Sequence, residues 1–317
     1  MVINADLPIH RYEVKIKALT PFSIPYFPGS MLRGAFGVAL KRAVCLNQKK
    51  ECSACLLNKT CIYRFLFETQ SDLPDITNPP HPLMLYPLAL GGKKMRRGSV
   101  YQFGFTLFGR ANAYLPYVIY ALMQMGRLGM GKGKGKFELK EIKKFISPKR
   151  KRLIFRQETG QLVSLDTCLN ATQILQNNDS PSNIILETIT PLRLKIKGRL
   201  TDKITLKDIL LAIARRFKVL TQLYGQVKSD LLQGMEIGTT LKEVKTETRL
   251  SWTDFKRFSK RQNTYMQLGG AMGRMSISGN LSSIYPLLKL GEYIHIGKNT
   301  AFGLGRYRIC QIKSGLS

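Results

Sequence analysis

The sequence predicts an α+β chain of two tandem ferredoxin-like (RRM-like) domains, each with a Gly-rich loop after its second helix. Three observations carry that expectation. The order of strand-like and helix-like stretches reads β-α-β-β-α-β and then repeats. A glycine- and cation-rich loop falls at the same place in both copies, GRLGMGKGKGKF at 126–137 and IGKNTAFGLGR at 296–306. The length, 317 residues, exceeds what one hydrophobic core usually serves.

In order, Arg11 to Leu19 alternates polar and apolar residues and reads as a strand. TPFSIPYFPGS follows as a loop, and Ser30 stands where it can cap a helix from Met31 to about Val44. Leu32, Ala35, Phe36, Ala39, Leu40 and Ala43 form the apolar stripe of that helix. Arg33, Gly37 and Lys41 line a second face, which either holds a bulky anion close to the backbone or is a solvated face with close packing at the glycines. Leu83 to Leu90, Val100 to Phe108 and Glu138 to Ile146 read as strands, and Ala113 to Met125 as a helix. Residues 1–147 make the first domain, with a Cys-rich insertion at about 45–80, and 148–183 a linker or variable region. Residues 184–317 make the second domain. There, Ile184 to Ile196, Lys245 to Phe255 and Tyr265 to Ile277 read as strands, Thr205 to Leu223 and Leu281 to Leu290 as helices, and Tyr293 to Ile296 as the start of a last hairpin.

The chain holds 50 Lys and Arg against 20 Asp and Glu, a formal net charge of +30. That excess goes beyond solubility and points to a polyanionic partner. No basic-then-apolar leader opens MVINADLPIH, and no apolar stretch is long enough to span a bilayer, so the expectation is a cytoplasmic protein without a membrane partner. In the two loops, Gly131, Lys132, Gly133, Lys134 and Lys136, and Gly297, Lys298, Gly303, Gly305 and Arg306, are candidate phosphate contacts. Glycine lets backbone N–H groups approach an anion, and the cations supply charge. The plainer alternative is that these glycines only satisfy turn geometry. Acidic residues form no cluster of the kind a two-metal nuclease needs.

Cys45, Cys52, Cys55 and Cys61 are spaced C-x6-C-x2-C-x5-C. Four thiols so close in a cytoplasmic chain suggest a metal centre, zinc or a [4Fe-4S] cluster, rather than disulfides. The alternative is four buried reduced cysteines. The spacing is identical to that of the cysteine loop of endonuclease III-like DNA glycosylases, but no helix-hairpin-helix region accompanies it. A DNA-repair enzyme is therefore a distant third reading.

The strings FPGSMLRGAFGVALKR, LGMGKGKGKF and HIGKNTAFGLGRY together resemble the CRISPR precursor-RNA processing endoribonucleases of the RAMP superfamily, most closely members with a cysteine-rich insertion after the first helix. The resemblance covers nearly the whole chain. It implies metal-independent cleavage of CRISPR repeat RNA by the 2′-hydroxyl, giving a 2′,3′-cyclic phosphate and a guide RNA that stays bound. The alternative is a catalytically silent RNA-binding subunit among the proteins of a CRISPR effector complex. No cofactor is expected for cleavage. Of three histidines, His10, His81 and His295, only His295 stands beside the most specific string, and it is the first candidate for proton exchange. Relatives often place a tyrosine before the first helix and a histidine and lysine on or near it. Tyr26 fits the tyrosine, whereas Lys41 and Arg42 stand where the histidine would be. Arg33 joins the candidate RNA contacts.

Overall fold

The structure, a computed structural model, describes residues 6–46, 52–71, 73–164, 167–176, 179–225, 241–259 and 264–311. It divides into two compact units, one of residues 7–170 with 223–225, the other of 171–222 with 226–317.

In the first unit the chain runs β1 (Pro8–Ala18), β2 (Phe22–Ile24), α1 (Gly29–Val44), α2 (Ile62–Phe67), β3 (Leu83–Pro87), β4 (Lys93–Met95), β5 (Val100–Phe108), α3 (Leu115–Leu128), β6 (Phe137–Phe145), β7 (Lys151–Arg156) and β8 (Leu169–Asn170). Every pairing is antiparallel, in the order β3-β5-β1-β6-β7, with β8 beside the start of β1. The alternation of β1 explains its central position: Tyr12, Val14, Ile16 and Ala18 are buried, and Arg11, Glu13, Lys15 and Lys17 alternate with them. Against that apolar face lie α1, through Leu32, Phe36 and Leu40, and α3, through Val118, Ile119, Leu122 and Met125. Each such buried side chain is worth about 1.5–3 kcal/mol of transfer free energy.

The second unit runs α4 (Ala171–Leu175), β9 (Asn183–Thr188), β10 (Lys195–Ile196), β11 (Arg199–Leu200), α5 (Leu206–Tyr224), β12 (Val244–Thr253), β13 (Lys256–Ser259), β14 (Thr264–Gln267), β15 (Gly270–Gly279), α6 (Tyr285–Ile294) and β16 (Tyr307–Gln311). Its main sheet is antiparallel in the order β12-β15-β9-β16. Thr205 and Asp208 cap α5 reciprocally: Asp208 N–H donates to Thr205 Oγ1 at 3.3 Å, and Thr205 N–H donates to Asp208 Oδ2 at 2.9 Å. Both units are thus mixed α/β with antiparallel sheets, and in both main sheets the first strand lies between the third and the fourth in chain order.

Four expectations change. The helix α1 begins at Gly29 behind Pro28 with no side-chain cap, so Ser30 sits inside its first turn. The stretch 148–183 is not only a linker, because β7 within it extends the first sheet. The expected strand Ile184 to Ile196 ends at Thr188, where Thr190 and Pro191 turn the chain into a loop. Tyr293 and Ile294 of the strand expected at Tyr293 to Ile296 lie in the last turn of α6, with His295 as its cap: Pro286 starts that helix, and Leu287, Leu290, Tyr293 and Ile294 recur at helical spacing.

Candidate nucleic-acid interface

The first glycine loop follows α3. Gly129, Gly131 and Gly133 have φ of 82°, 73° and 98°, and Lys134 itself is left-handed at 47°. Met130 and Gly135 exchange backbone hydrogen bonds at 3.0 and 2.9 Å, closing the loop on itself. Lys132 and Ser23 do the same across to β2, at 3.2 and 3.0 Å. A Cβ on Gly131 would stand 2.5 Å from the Ser23 carbonyl oxygen. Lys132, Lys134 and Lys136 are all exposed.

The second loop follows α6. Gly297 bridges to Arg193, Lys298 N–H donates to Arg193 O at 2.9 Å, and a Cβ on Gly297 would stand 2.6 Å from that same oxygen. Ile296 N–H donates to Gly305 O at 3.0 Å, and a Cβ on Gly305 would meet Ile296 O at 1.8 Å. Lys298 and Asn299 are exposed, Arg306 is partly buried, and Gly303 and Gly305 are buried.

These geometries account for several of the glycines by turn geometry and close packing. The N–H groups of Lys132, Lys134, Gly135 and Lys136, and of Lys298, Phe302, Gly303, Gly305 and Arg306, all donate within the protein. They are occupied, not aimed outward at an anion. Gly131, Gly297 and Gly305 are required because a side chain would collide with neighbouring backbone. What the loops offer to solvent is cationic side chains.

The histidine expected to exchange protons is placed elsewhere. His295 is 2% exposed and caps α6 with φ 56°, ψ 163°. His10 is 8% exposed on β1; burial, then the charge of Lys144, lowers its pKa to about 4. His81 is half-buried, its Nδ1 3.1 Å from Thr69 Oγ1. Two of the three histidines are therefore buried and the third half-buried. Tyr26, before α1, is 56% exposed, Arg42 is exposed and Lys41 half-buried.

The second face of α1 does not face an anion either. Arg33 is 5% exposed and lies over the Phe67 ring of α2. A Cβ on Gly37 would be 2.2 Å from Phe67 Cζ. The ammonium of Lys41 lies 5.7 Å from the Tyr63 ring centre. Arg33 thus anchors α2; close packing is met at Gly37, whereas Gly34 has open space beside it and the face is not solvated at Arg33.

Among the described residues no group of three or more His, Cys, Asp or Glu side chains is placed to hold a metal ion. Cys45 ends α1, whereas Cys52 and Cys61 pack against the apolar core of the first unit. Burial, then Glu68, raises the Cys52 pKa. As placed, the four cysteines do not make a metal centre.

Comparison with known proteins now applies. Residues 7–167 match the family model of the AF_1859 N-terminal domain. That match spans half of the chain. The chain belongs to the AF_1859 family. Residues 186–307, which include the second glycine loop, match the model of the CRISPR-associated endoribonuclease Cas6. Over 291 residues, 91% of this AF_1859-family chain and 93% of the relative, it is 26% identical to an uncharacterised protein of Archaeoglobus fulgidus. Among solved structures it is similar to a Cas6 product complex, at TM-score 0.55 and 13% identity over 96% of this chain and 99% of that one. The Thermus thermophilus Cas6 is similar at TM-score 0.53 and 11% identity over 96% and 99%. A chain of a partial Cas6-RT-Cas1–Cas2 complex is similar at TM-score 0.56 and 15% identity, over all of this chain but 48% of that one. At these identities the structural likeness is one of fold.

The sequence reading of this AF_1859-family member missed the two threonines that hold the loops. Thr20 Oγ1 accepts from Lys136 N–H at 2.8 Å, and Thr190 Oγ1 accepts from Arg306 N–H at 2.9 Å. The signal was present: Leu19-Thr20-Pro21-Phe22 and Ile189-Thr190-Pro191-Leu192 repeat one pattern directly after the first strand of each unit.

Proposed function

We propose that the chain is a metal-independent endoribonuclease that cuts CRISPR repeat RNA in the precursor transcript and keeps the guide RNA bound, acting in the cytoplasm. One observation carries this reading: the Cas6 match covers the second loop, whose exposed lysine has a counterpart in the first. The shared strand order of the two units supports reading both as ferredoxin-like. Lys132, Lys134, Lys136, Lys298 and Arg306 contact RNA phosphates through their side chains. In the reaction the 2′-oxygen attacks the adjacent phosphorus and loses its proton to a base. The P–O5′ bond breaks, the 5′-oxygen takes up a proton, and a 2′,3′-cyclic phosphate remains. The nucleophile belongs to the substrate, so the protein must supply only orientation, charge and proton exchange. Tyr26 is placed to orient the phosphate, and Lys41 and Arg42 supply positive charge; His295 is not assigned a part. Other proteins of a CRISPR complex are the expected partners.

Incubating end-labelled repeat RNA with the protein in EDTA and analysing the product ends tests this. A cyclic phosphate product is expected; uncut RNA under single-turnover excess of enzyme would defeat the enzymatic reading. The burial of His10 and His295 and the half-burial of His81 favour a second reading, an RNA-binding subunit without catalysis. It predicts tight binding of uncut repeat RNA in the same assay. A structural metal on Cys45, Cys52, Cys55 and Cys61 rests on their spacing alone. Metal analysis of anaerobically purified protein decides it, with near-stoichiometric zinc or iron required to keep it.

A further inference from the structure

The two loops are not merely alike in composition; they are the same device. In the first unit the chain leaves β1 through Thr20-Pro21-Phe22-Ser23, and in the second it leaves β9 through Thr190-Pro191-Leu192-Arg193. Leu19 and Thr20 N–H both donate to Lys136 O, at 2.9 and 3.3 Å, while Lys136 N–H donates to Thr20 Oγ1. Ile189 and Thr190 N–H both donate to Arg306 O, at 2.8 and 3.0 Å, while Arg306 N–H donates to Thr190 Oγ1. Three residues past each threonine, the Ser23 carbonyl accepts from Lys132 N–H and the Arg193 carbonyl from Lys298 N–H. The glycine before each lysine, Gly131 or Gly297, is pressed against that same carbonyl. Lys132 therefore corresponds to Lys298, and Lys136 to Arg306, each pair fixed at its backbone by the same set of bonds.

Turn formation alone does not require this. Two loops of different length, four residues between Gly131 and Lys136 and eight between Gly297 and Arg306, keep the same two cationic stations and vary what lies between them. We propose that each unit carries one anion station of this common design, which binds a nucleic-acid phosphate through the cation pair Lys132 and Lys136 or the pair Lys298 and Arg306. Thr20 and Thr190 are its positioning residues. They do not touch the RNA; they set where the second cation of each pair leaves the backbone. The ligand class is the phosphate backbone of single-stranded RNA, and the inference rests on the RNA-binding reading above.

The test measures binding of a single-stranded oligoribonucleotide by fluorescence anisotropy across a salt series, alongside thermal melts. Lys132→Ala with Lys136→Ala, and Lys298→Ala with Arg306→Ala, should each flatten the log–log salt slope by about 1.4, two single-strand contacts' worth. Thr20→Val and Thr190→Val remove one or two hydrogen bonds, and affinity should fall by about two- to tenfold. Thr20→Ser and Thr190→Ser, which keep the oxygen, should restore it. Thr20 is exposed, so Thr20→Val should melt like the parent and separate positioning from folding. A Thr20→Val protein that binds like the parent, serine variants that fail to rescue, or a cation pair whose loss leaves the slope unchanged would each overturn the proposal. Heparin serves as a second polyanion probe. If the parent binds heparin through both pairs but no RNA, the RNA reading fails and the stations stand.

Discussion

The guanidinium carbon of Arg33 lies 4.0 Å from the centre of the Phe67 ring, and its Nη2 donates to the Phe67 carbonyl oxygen at 2.9 Å. One cation on α1 thereby closes the C-terminal end of α2 and roofs the glycine-bearing face of its own helix. A stacked, hydrogen-bonded, desolvated arginine of this kind is worth about 2 kcal/mol or more. Arg33→Ala should lower the melting temperature and leave the salt dependence of RNA binding unchanged. Gly37→Ala should also destabilise, by about 1–3 kcal/mol, because its new methyl must displace the Phe67 ring. Lost RNA affinity in a fully stable Arg33→Ala protein would return this residue to the interface.

The glycines of the loops should not be equivalent to mutation. Gly133 and Gly305 both have positive φ, 98° and 74°, so alanine strains either by about 1–2 kcal/mol. Around Gly133, however, the nearest atom to a new Cβ is 3.6 Å away, whereas at Gly305 it is the Ile296 oxygen at 1.8 Å. Gly305→Ala should therefore melt well below Gly133→Ala in thermal scans. Equal losses would mean the second loop has room to yield.

How legible this was depended on what each residue signals locally. Alternation in β1 is a short-range pattern, and it gave its element directly. The environment of Arg33 was not legible, since its partner Phe67 is 34 residues away and lies in the cysteine-rich insertion, where the metal expectation masked a small helix. The run from Tyr293 was misread as a strand because its apolar residues flank His295 in alternation. The helical spacing of Leu287, Leu290 and Ile294 before it should have carried more weight. The thiols were read from spacing, which specifies proximity in the chain but not convergence in space.

His10 supplies a pH prediction. Its folded pKa of about 4 lies below the ordinary 6.5, because burial, and then the charge of Lys144, disfavour the imidazolium. The unfolded chain thus binds a proton that the folded chain refuses. The associated stability is fully present above pH 6.5 and is lost as pH falls from 6.5 towards 4, by about 3 kcal/mol across the whole interval. Urea midpoints of the parent should fall over that window, and those of His10→Gln should fall less. Imidazole resonances that titrate near 6.5 in the folded protein would refute the assignment.

The last prediction concerns His295, where chemistry and packing make opposite forecasts. A general acid or base contributes about 10²–10⁴-fold to a rate, and its removal leaves folding intact. A buried residue with φ 56° at a helix end does the reverse. Replacing it with alanine empties its volume and retains the left-handed strain. Asparagine keeps part of the volume, and glycine removes the strain but not the cavity. The packing account therefore orders melting temperatures as parent, then His295→Asn, with His295→Ala lowest and the glycine variant above alanine. At a temperature where all remain folded, single-turnover cleavage in EDTA should proceed at similar rates in each, while Tyr26→Phe slows it. A His295→Ala protein that melts like the parent yet cuts a hundredfold slower or worse would place this imidazole in the reaction, and would mean the loop opens when RNA binds.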